Sequence, residues 1–133
     1  MMTTLLRNSF LIFAFTCFAA SFTLAQSDLQ TIADKMESGD AVALAGMVNG
    51  KVSLTVGDET GTYNAEDFKA KLVSFFASNK PSDYEMMRYH ATEDGMQLIV
   101  GKLKAGSKDY MVYTYVKKND GKRMIRQIRI YEE

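Results

Sequence analysis

From residue 84 to residue 131 the chain is almost continuous strand sequence, cut only by Glu93-Asp94-Gly95, Ala105-Gly106-Ser107-Lys108 and Asn119-Asp120-Gly121. Connections this short, each with a glycine, join antiparallel neighbours, because a parallel crossover needs about a dozen residues. The segments 84–91, 96–104, 110–118 and 123–131 are therefore expected to form an antiparallel meander. A sheet of this kind must bury one face against a second layer, and the first half of the chain supplies helical sequence for it.

That half opens with Ser27-Asp28-Leu29-Gln30, where a serine at the cap and a glutamine three residues on mark a helix start. Leu29, Ile32, Ala33 and Met36 recur at helical spacing, and Gly39 supplies the stop. Asp40 is expected to cap a second, shorter helix through Leu44 and Met47, ended by Asn49-Gly50. Lys51 to Val56 then alternates, with Val52, Leu54 and Val56 on one face, and after a turn over 57–61 the pair Thr62-Tyr63 folds back on it. Asn64 caps the main helix, whose inner stripe is Phe68, Leu72, Phe75 and Phe76, until Asn79-Lys80-Pro81 breaks it. The expected class is α+β: one curved antiparallel sheet with about three helices packed on one face. Closed at one end by those helices, it would form a cone with a pocket.

Ahead of this domain, a short charged region ends at Arg7-Asn8, an apolar run covers 10–20, and small residues continue to Ala25. This is the layout of a secretory signal, with cleavage expected after Thr23-Leu24-Ala25. The reading is a signal peptide at 1–25 and a single domain at 26–133, exported to the periplasm or beyond the cell. The apolar run is shorter than the roughly 20 residues a bilayer requires, so no stable membrane anchor is expected. The single cysteine, Cys17, falls inside that run after Ala14-Phe15-Thr16, which lacks the small residue of a lipidation signal. The domain therefore has no disulfide, and its core alone must stabilise it. Sixteen Lys and Arg balance sixteen Asp and Glu, which gives no reason to expect nucleic acid. Lys117, Lys118, Lys122, Arg123, Arg126 and Arg129 nevertheless gather near the C-terminus. They form either an anion-binding strip or, as such clusters more often do, a solvated hairpin and strand face.

The order of elements resembles the cystatin-like, or nuclear transport factor 2-like, cone superfamily. More narrowly, the chain from Ile32 to Glu132 resembles domain of unknown function 4783, a family of small secreted bacterial proteins. The stretches that carry the likeness are Met36-Glu37-Ser38-Gly39-Asp40, Val52-Ser53-Leu54-Thr55, Gly61-Thr62-Tyr63, Phe75-Phe76, Tyr89-His90, Leu98-Ile99-Val100-Gly101 and Ile125-Arg126-Gln127-Ile128-Arg129-Ile130. The resemblance implies the cone fold and no particular chemistry, since the superfamily includes ketosteroid isomerase and scytalone dehydratase beside many non-catalytic binding and dimerisation domains.

His90, the only histidine, is expected to share a strand face with Tyr84, Met86 and Arg88, with Met87 and Tyr89 on the other. Met111, Tyr113 and Tyr115 form one face of the next-to-last strand, and strict alternation puts Arg126 beside Ile128 and Ile130 on the last. The candidate ligand-contacting residues are thus His90, Arg88, Tyr113, Tyr115, Met111 and Arg126. No nucleophile motif or converging carboxylate pair is present, so no catalytic residue is assigned. One histidine without a cysteine in the domain makes a poor metal set, and no metal or cofactor is expected. The leading reading is a non-catalytic module that binds a small apolar or anionic ligand, or a partner such as a second copy through the open sheet face. The alternatives are an isomerase or dehydratase using His90 with Tyr89 or Tyr113 in a cavity, and a structural envelope protein. A solvent-exposed His90 removes the reason for the enzyme.

Overall fold

The computed structural model describes residues 27–92, 94–119 and 121–133; the expected signal peptide and its cleavage site lie outside them. Thr31–Glu133 forms one compact unit, and apart from the first turn of the leading helix every element lies in it. Helix α1 (Ser27–Ser38) leads into α2 (Ala41–Ala45), strands β1 (Val52–Val56) and β2 (Glu59–Tyr63), and helix α3 (Ala65–Ser78). Four long strands follow: β3 (Pro81–Ala91), β4 (Met96–Ala105), β5 (Lys108–Asn119) and β6 (Lys122–Glu132).

The expected elements are all present, and their ends show the local chemistry that set them. Asp40 accepts a hydrogen bond from the Ala43 amide at 3.0 Å, and Asn64 accepts one from the Asp67 amide at 2.8 Å. Both side chains satisfy amides that have no partner within the helix. Helix α2 closes at Gly46, one residue short of Met47, which was expected inside it. Gly39, at φ 66°, turns the chain between α1 and α2, and a β-carbon there would stand 3.1 Å from the Pro81 ring. Phe68, Leu72, Phe75 and Phe76 are buried, as their spacing requires.

The sheet runs β2-β1-β6-β5-β4-β3 and is not wholly antiparallel. Strand β1 pairs parallel with β6, Ser53 opposite Gln127 and Val56 opposite Ile130, which corrects the expected all-antiparallel sheet. Tight turns dictate antiparallel pairing only between consecutive strands, and β1 is separated from β6 by the whole of α3, β3, β4 and β5.

Besides an irregularity between Pro81 and Asp83 at the start of β3, two register shifts decide which side chains meet. Between β3 and β4 the pairing steps from Met86–Gly101 to Arg88–Val100, leaving Met87 as an extra residue. Between β5 and β6 it steps from Tyr115–Gln127 to Val116–Ile125, leaving Arg126 as the extra residue. Each β-bulge inverts the in-out alternation beyond it. Ile125, Ile128 and Ile130 therefore all face the core despite their uneven spacing, alongside Ile99, Leu103, Val112 and Val116. Among the described residues no helix is long and apolar enough to cross a membrane.

Candidate functional site: the open face of the sheet

The register sorts the sheet into a buried face and an open one. Directly paired residues share a face, so Tyr110, Val112, Thr114 and Val116 of β5 are buried with Leu103 and Ile99 of β4. The alternate residues form rows across the opposite, more open face, on which Val100 and Thr55 are themselves buried. One row reads Arg88, Val100, Tyr113, Arg129 and Thr55; the next reads His90, Leu98, Tyr115, Gln127 and Ser53. A third holds Glu85, Lys102, Met111 and Tyr131.

Two pairs of side chains in these rows approach one another. Tyr113 and Tyr131 meet edge-on, centroids 6.1 Å apart at 68°, and the Arg129 guanidinium stands 6.0 Å from the Tyr115 centroid. Both arrangements are attractive through the ring quadrupole, worth roughly 0.5–1.5 kcal/mol apiece. The amide oxygen of Gln127, turned toward Arg129, accepts from its Nε at 2.8 Å and Nη2 at 3.1 Å. Gln127 thereby anchors Arg129 beside Tyr115.

Charge is polarised along β3, although its acidic end stands across the ladder from Lys102 and Lys104. Asp83 and Glu85 occupy one end of β3, with Arg88 and His90 at the other. Lys102 lies 3.2 Å from Glu133 and 3.9 Å from Asp109, and Lys108 lies 3.5 Å from Glu132. Hydrogen bonding to Glu133, then its charge and that of Asp109, holds the Lys102 ammonium above the ordinary lysine range.

All six residues singled out from the sequence, His90, Arg88, Tyr113, Tyr115, Met111 and Arg126, lie on this one face or at its bulge. Two of the expected neighbourhoods are corrected. The bulge at Met87 places His90 and Arg88 beside Leu98 and Val100, while Tyr84 and Met86 pair with Leu103 and Gly101 on the buried face. The bulge at Arg126 leaves that arginine exposed and separates it from the buried Ile128 and Ile130. His90 is exposed on the edge strand. Tyr131 and Arg129 complete the aromatic patch; their alternation with the buried Ile128 and Ile130 is the sequence signal that could have found them.

A second concavity of about 270 Å³ lies where α3 meets β1 and β2, with Leu54, Val56 and Phe75 as its apolar wall. Asn79 is fixed at its edge, donating to the Phe75 carbonyl at 3.1 Å and accepting from the Tyr110 hydroxyl at 2.7 Å. Lys71 reaches over the Tyr63 ring at 5.8 Å. None of the six sequence-derived residues lines this cleft. Among the described residues no group of three His, Cys, Asp or Glu is placed to hold a metal ion.

Comparison with known proteins agrees with this architecture. The family model for the domain of unknown function DUF4783 matches residues 29–131. A DUF4783 protein of Bacteroides fragilis YCH46 superposes with a TM-score of 0.72 at 20% identity, over 77% of this chain and 95% of its own. A nuclear transport factor 2-like protein of unknown function from Silicibacter pomeroyi DSS-3 gives 0.61 at 14% identity, over 87% and 98%. A domain of unknown function with a cystatin-like fold from Nostoc punctiforme PCC 73102 gives 0.63 at 12% identity, over 86% and 78%. No curated protein matches the sequence. At such identities the structural likeness speaks for the fold alone. With the match across nearly all of its described residues, the chain belongs to the DUF4783 family, and its α+β fold is of the nuclear transport factor 2-like, cystatin-like kind.

Proposed function

We propose that the protein is an exported, non-catalytic binding module that pairs with a second copy of itself through the open face of the sheet. One observation carries the reading: the register gathers Met111, Tyr113, Tyr115 and Tyr131 on the face opposite the buried core. On that face Tyr131 stays 37% exposed. Tyrosine and methionine supply large, adaptable contact area and are enriched at the centres of interfaces. The helices are read as covering the other face only, because Phe75 and Asn79 of α3 both meet Tyr110, which belongs to the buried set.

The charge pattern favours a second copy as the occupant. A two-fold axis perpendicular to the strands reverses the partner's strand direction, setting its Arg88 and His90 over Glu85 and Asp83 of the first copy. The same operation brings the two tyrosine patches together. The enzyme alternative rested on His90 within a cavity; its exposed position on β3 supports setting that alternative aside.

A small-ligand reading has one observation in its favour, the cleft at α3 with its apolar wall and fixed Asn79. Native mass spectrometry of the protein isolated from its host separates the two. A ligand-free dimer whose chain begins at Gln26 supports export and pairing, whereas a monomer that retains a small molecule moves the site to the cleft.

A further inference from the structure

The two ends of the β4–β5–β6 region treat their cations differently. At the β4–β5 turn, Lys102 and Lys108 are ion-paired with Asp109, Glu132 and Glu133. At the opposite end, Lys117, Lys118 and Arg126 surround a cavity of about 180 Å³ together with Asn49 and Met124. Among the described residues none of these three cations makes an ion pair, and no carboxylate lines the cavity. Asp94 feels the charge of Lys117, but its carboxylate is engaged by the Thr92 hydroxyl and by the Met96 amide at 3.4 Å.

Three structural devices bring the lining together. Lys117 sits directly across from Met124 in the β5–β6 ladder. The bulge at Arg126 turns that side chain away from the core and toward the same end. The Ile125 amide donates to the Met47 carbonyl at 2.8 Å, which ties the segment before β1 to β6 and sets Asn49 at the rim. Like charges gathered in this way repel by about 1 kcal/mol per close pair in water and by more near a protein surface. A doubly charged anion in the cavity reverses that cost.

We propose that this cavity binds a phosphoryl group. The guanidinium of Arg126 offers a planar pair of donors that match two oxygens of a tetrahedral oxyanion. The lysines supply point charge, and the Asn49 amide adds a neutral donor. The volume equals that of roughly six water molecules in the liquid, room for a phosphoryl group on a short stem. Such a group arrives either as free phosphate or as the headgroup of an anionic lipid. The site lies beyond the tyrosine rows and does not depend on self-association.

The test is a titration of the chain from Gln26 to Glu133 with inorganic phosphate and, separately, with vesicles containing phosphatidic acid, followed by amide chemical shifts and sedimentation. Phosphate is expected to shift Lys117, Lys118 and Arg126. Arg126→Gln is expected to weaken binding about tenfold, the scale of one charge-assisted hydrogen bond, while Lys108→Gln at the ion-paired end leaves it unchanged. Vesicle binding without a response to free phosphate, lost in Arg126→Gln, assigns the lipid headgroup as the source. No response to either probe, or binding indifferent to Arg126→Gln in a variant with an unchanged melting temperature, overturns the proposal. Monomeric protein that still binds phosphate contradicts the dimer and leaves this site standing.

Discussion

The hydroxyl of Tyr84 occupies the space in which a side chain at residue 101 would begin, so a β-carbon on Gly101 would collide with the phenol ring. Tyr84 is buried on β3, and its ring crosses the backbone of the neighbouring strand at the one position on β4 that lacks a side chain. Gly101→Ala is expected to destabilise the fold by about 1–3 kcal/mol, the range for overpacking. The loss should shrink in a Tyr84→Ala background, with a coupling of about 1–2 kcal/mol in a double-mutant cycle read by urea denaturation. Additive losses would mean that the ring and the glycine do not meet.

The same tyrosine carries a pH signature. Burial pushes its hydroxyl from 10.0 up to about 12, and among the described residues that hydroxyl has no hydrogen-bond partner. The unfolded chain releases this proton first as pH rises, so the contribution is fully present below pH 10 and is lost between pH 10 and about 12. The loss is of the order of 2–3 kcal/mol. Urea midpoints of wild type and Tyr84→Phe should diverge across that window, with the phenylalanine variant losing less. At neutral pH the substitution is expected to be neutral or slightly stabilising, because it removes a buried group without a partner.

Single-residue deletions distinguish the bulge from the strand around it. Removing Arg126 leaves Ile125, Gln127 and Ile128 in simple alternation, with both isoleucines still facing the core. That deletion is expected to fold with a loss under about 2 kcal/mol. Removing Arg129 turns Ile130 outward and inverts the strand beyond it. Exposing that side chain alone costs about 1.5–3 kcal/mol, and thermal denaturation of this variant should show a far lower midpoint. Equal melting of the two deletions would contradict the assigned register.

These bulges mark the limit of what the chain reveals before it is folded. Asn64 and Asp40 were legible because each acts within one turn of helix, and the Phe68–Phe76 stripe because its spacing repeats along a single helix. The strands β3 to β6 were legible because their connections are short. The residues of the candidate face were found by type, as tyrosines and methionines on alternating positions. Their neighbours were misplaced because a bulge is set by the partner strand: the sequence around Met87 shows no break in alternation, and at Arg126 the only one is the three-residue step from Ile125 to Ile128. The parallel β1–β6 pair and the approach of Tyr84 to Gly101 are likewise contacts between distant segments.

Reversed charge on β3 tests how two copies meet. Glu85 and Arg88 lie on the open face on either side of the Met87 bulge. With antiparallel stacking, Glu85→Arg and Arg88→Glu should each weaken the dimer several-fold, because like charges then face each other twice across the two-fold axis. The double variant should regain most of that affinity. Exposed pairs are worth about 0.2–1 kcal/mol each, which sets the expected size. Weakening in the singles without recovery in the double would rule out this orientation.

The most direct test of the central claim is sedimentation equilibrium on the wild type and on Tyr113→Glu, with circular dichroism to confirm that both are folded. Tyr113 sits at the middle of the open face against Tyr131, away from the core, so the variant should keep its fold. The expected result is a wild-type dimer and a folded monomer for Tyr113→Glu. A monomeric wild type, or a variant that dimerises as well as the wild type, would contradict the assignment of this face to self-association.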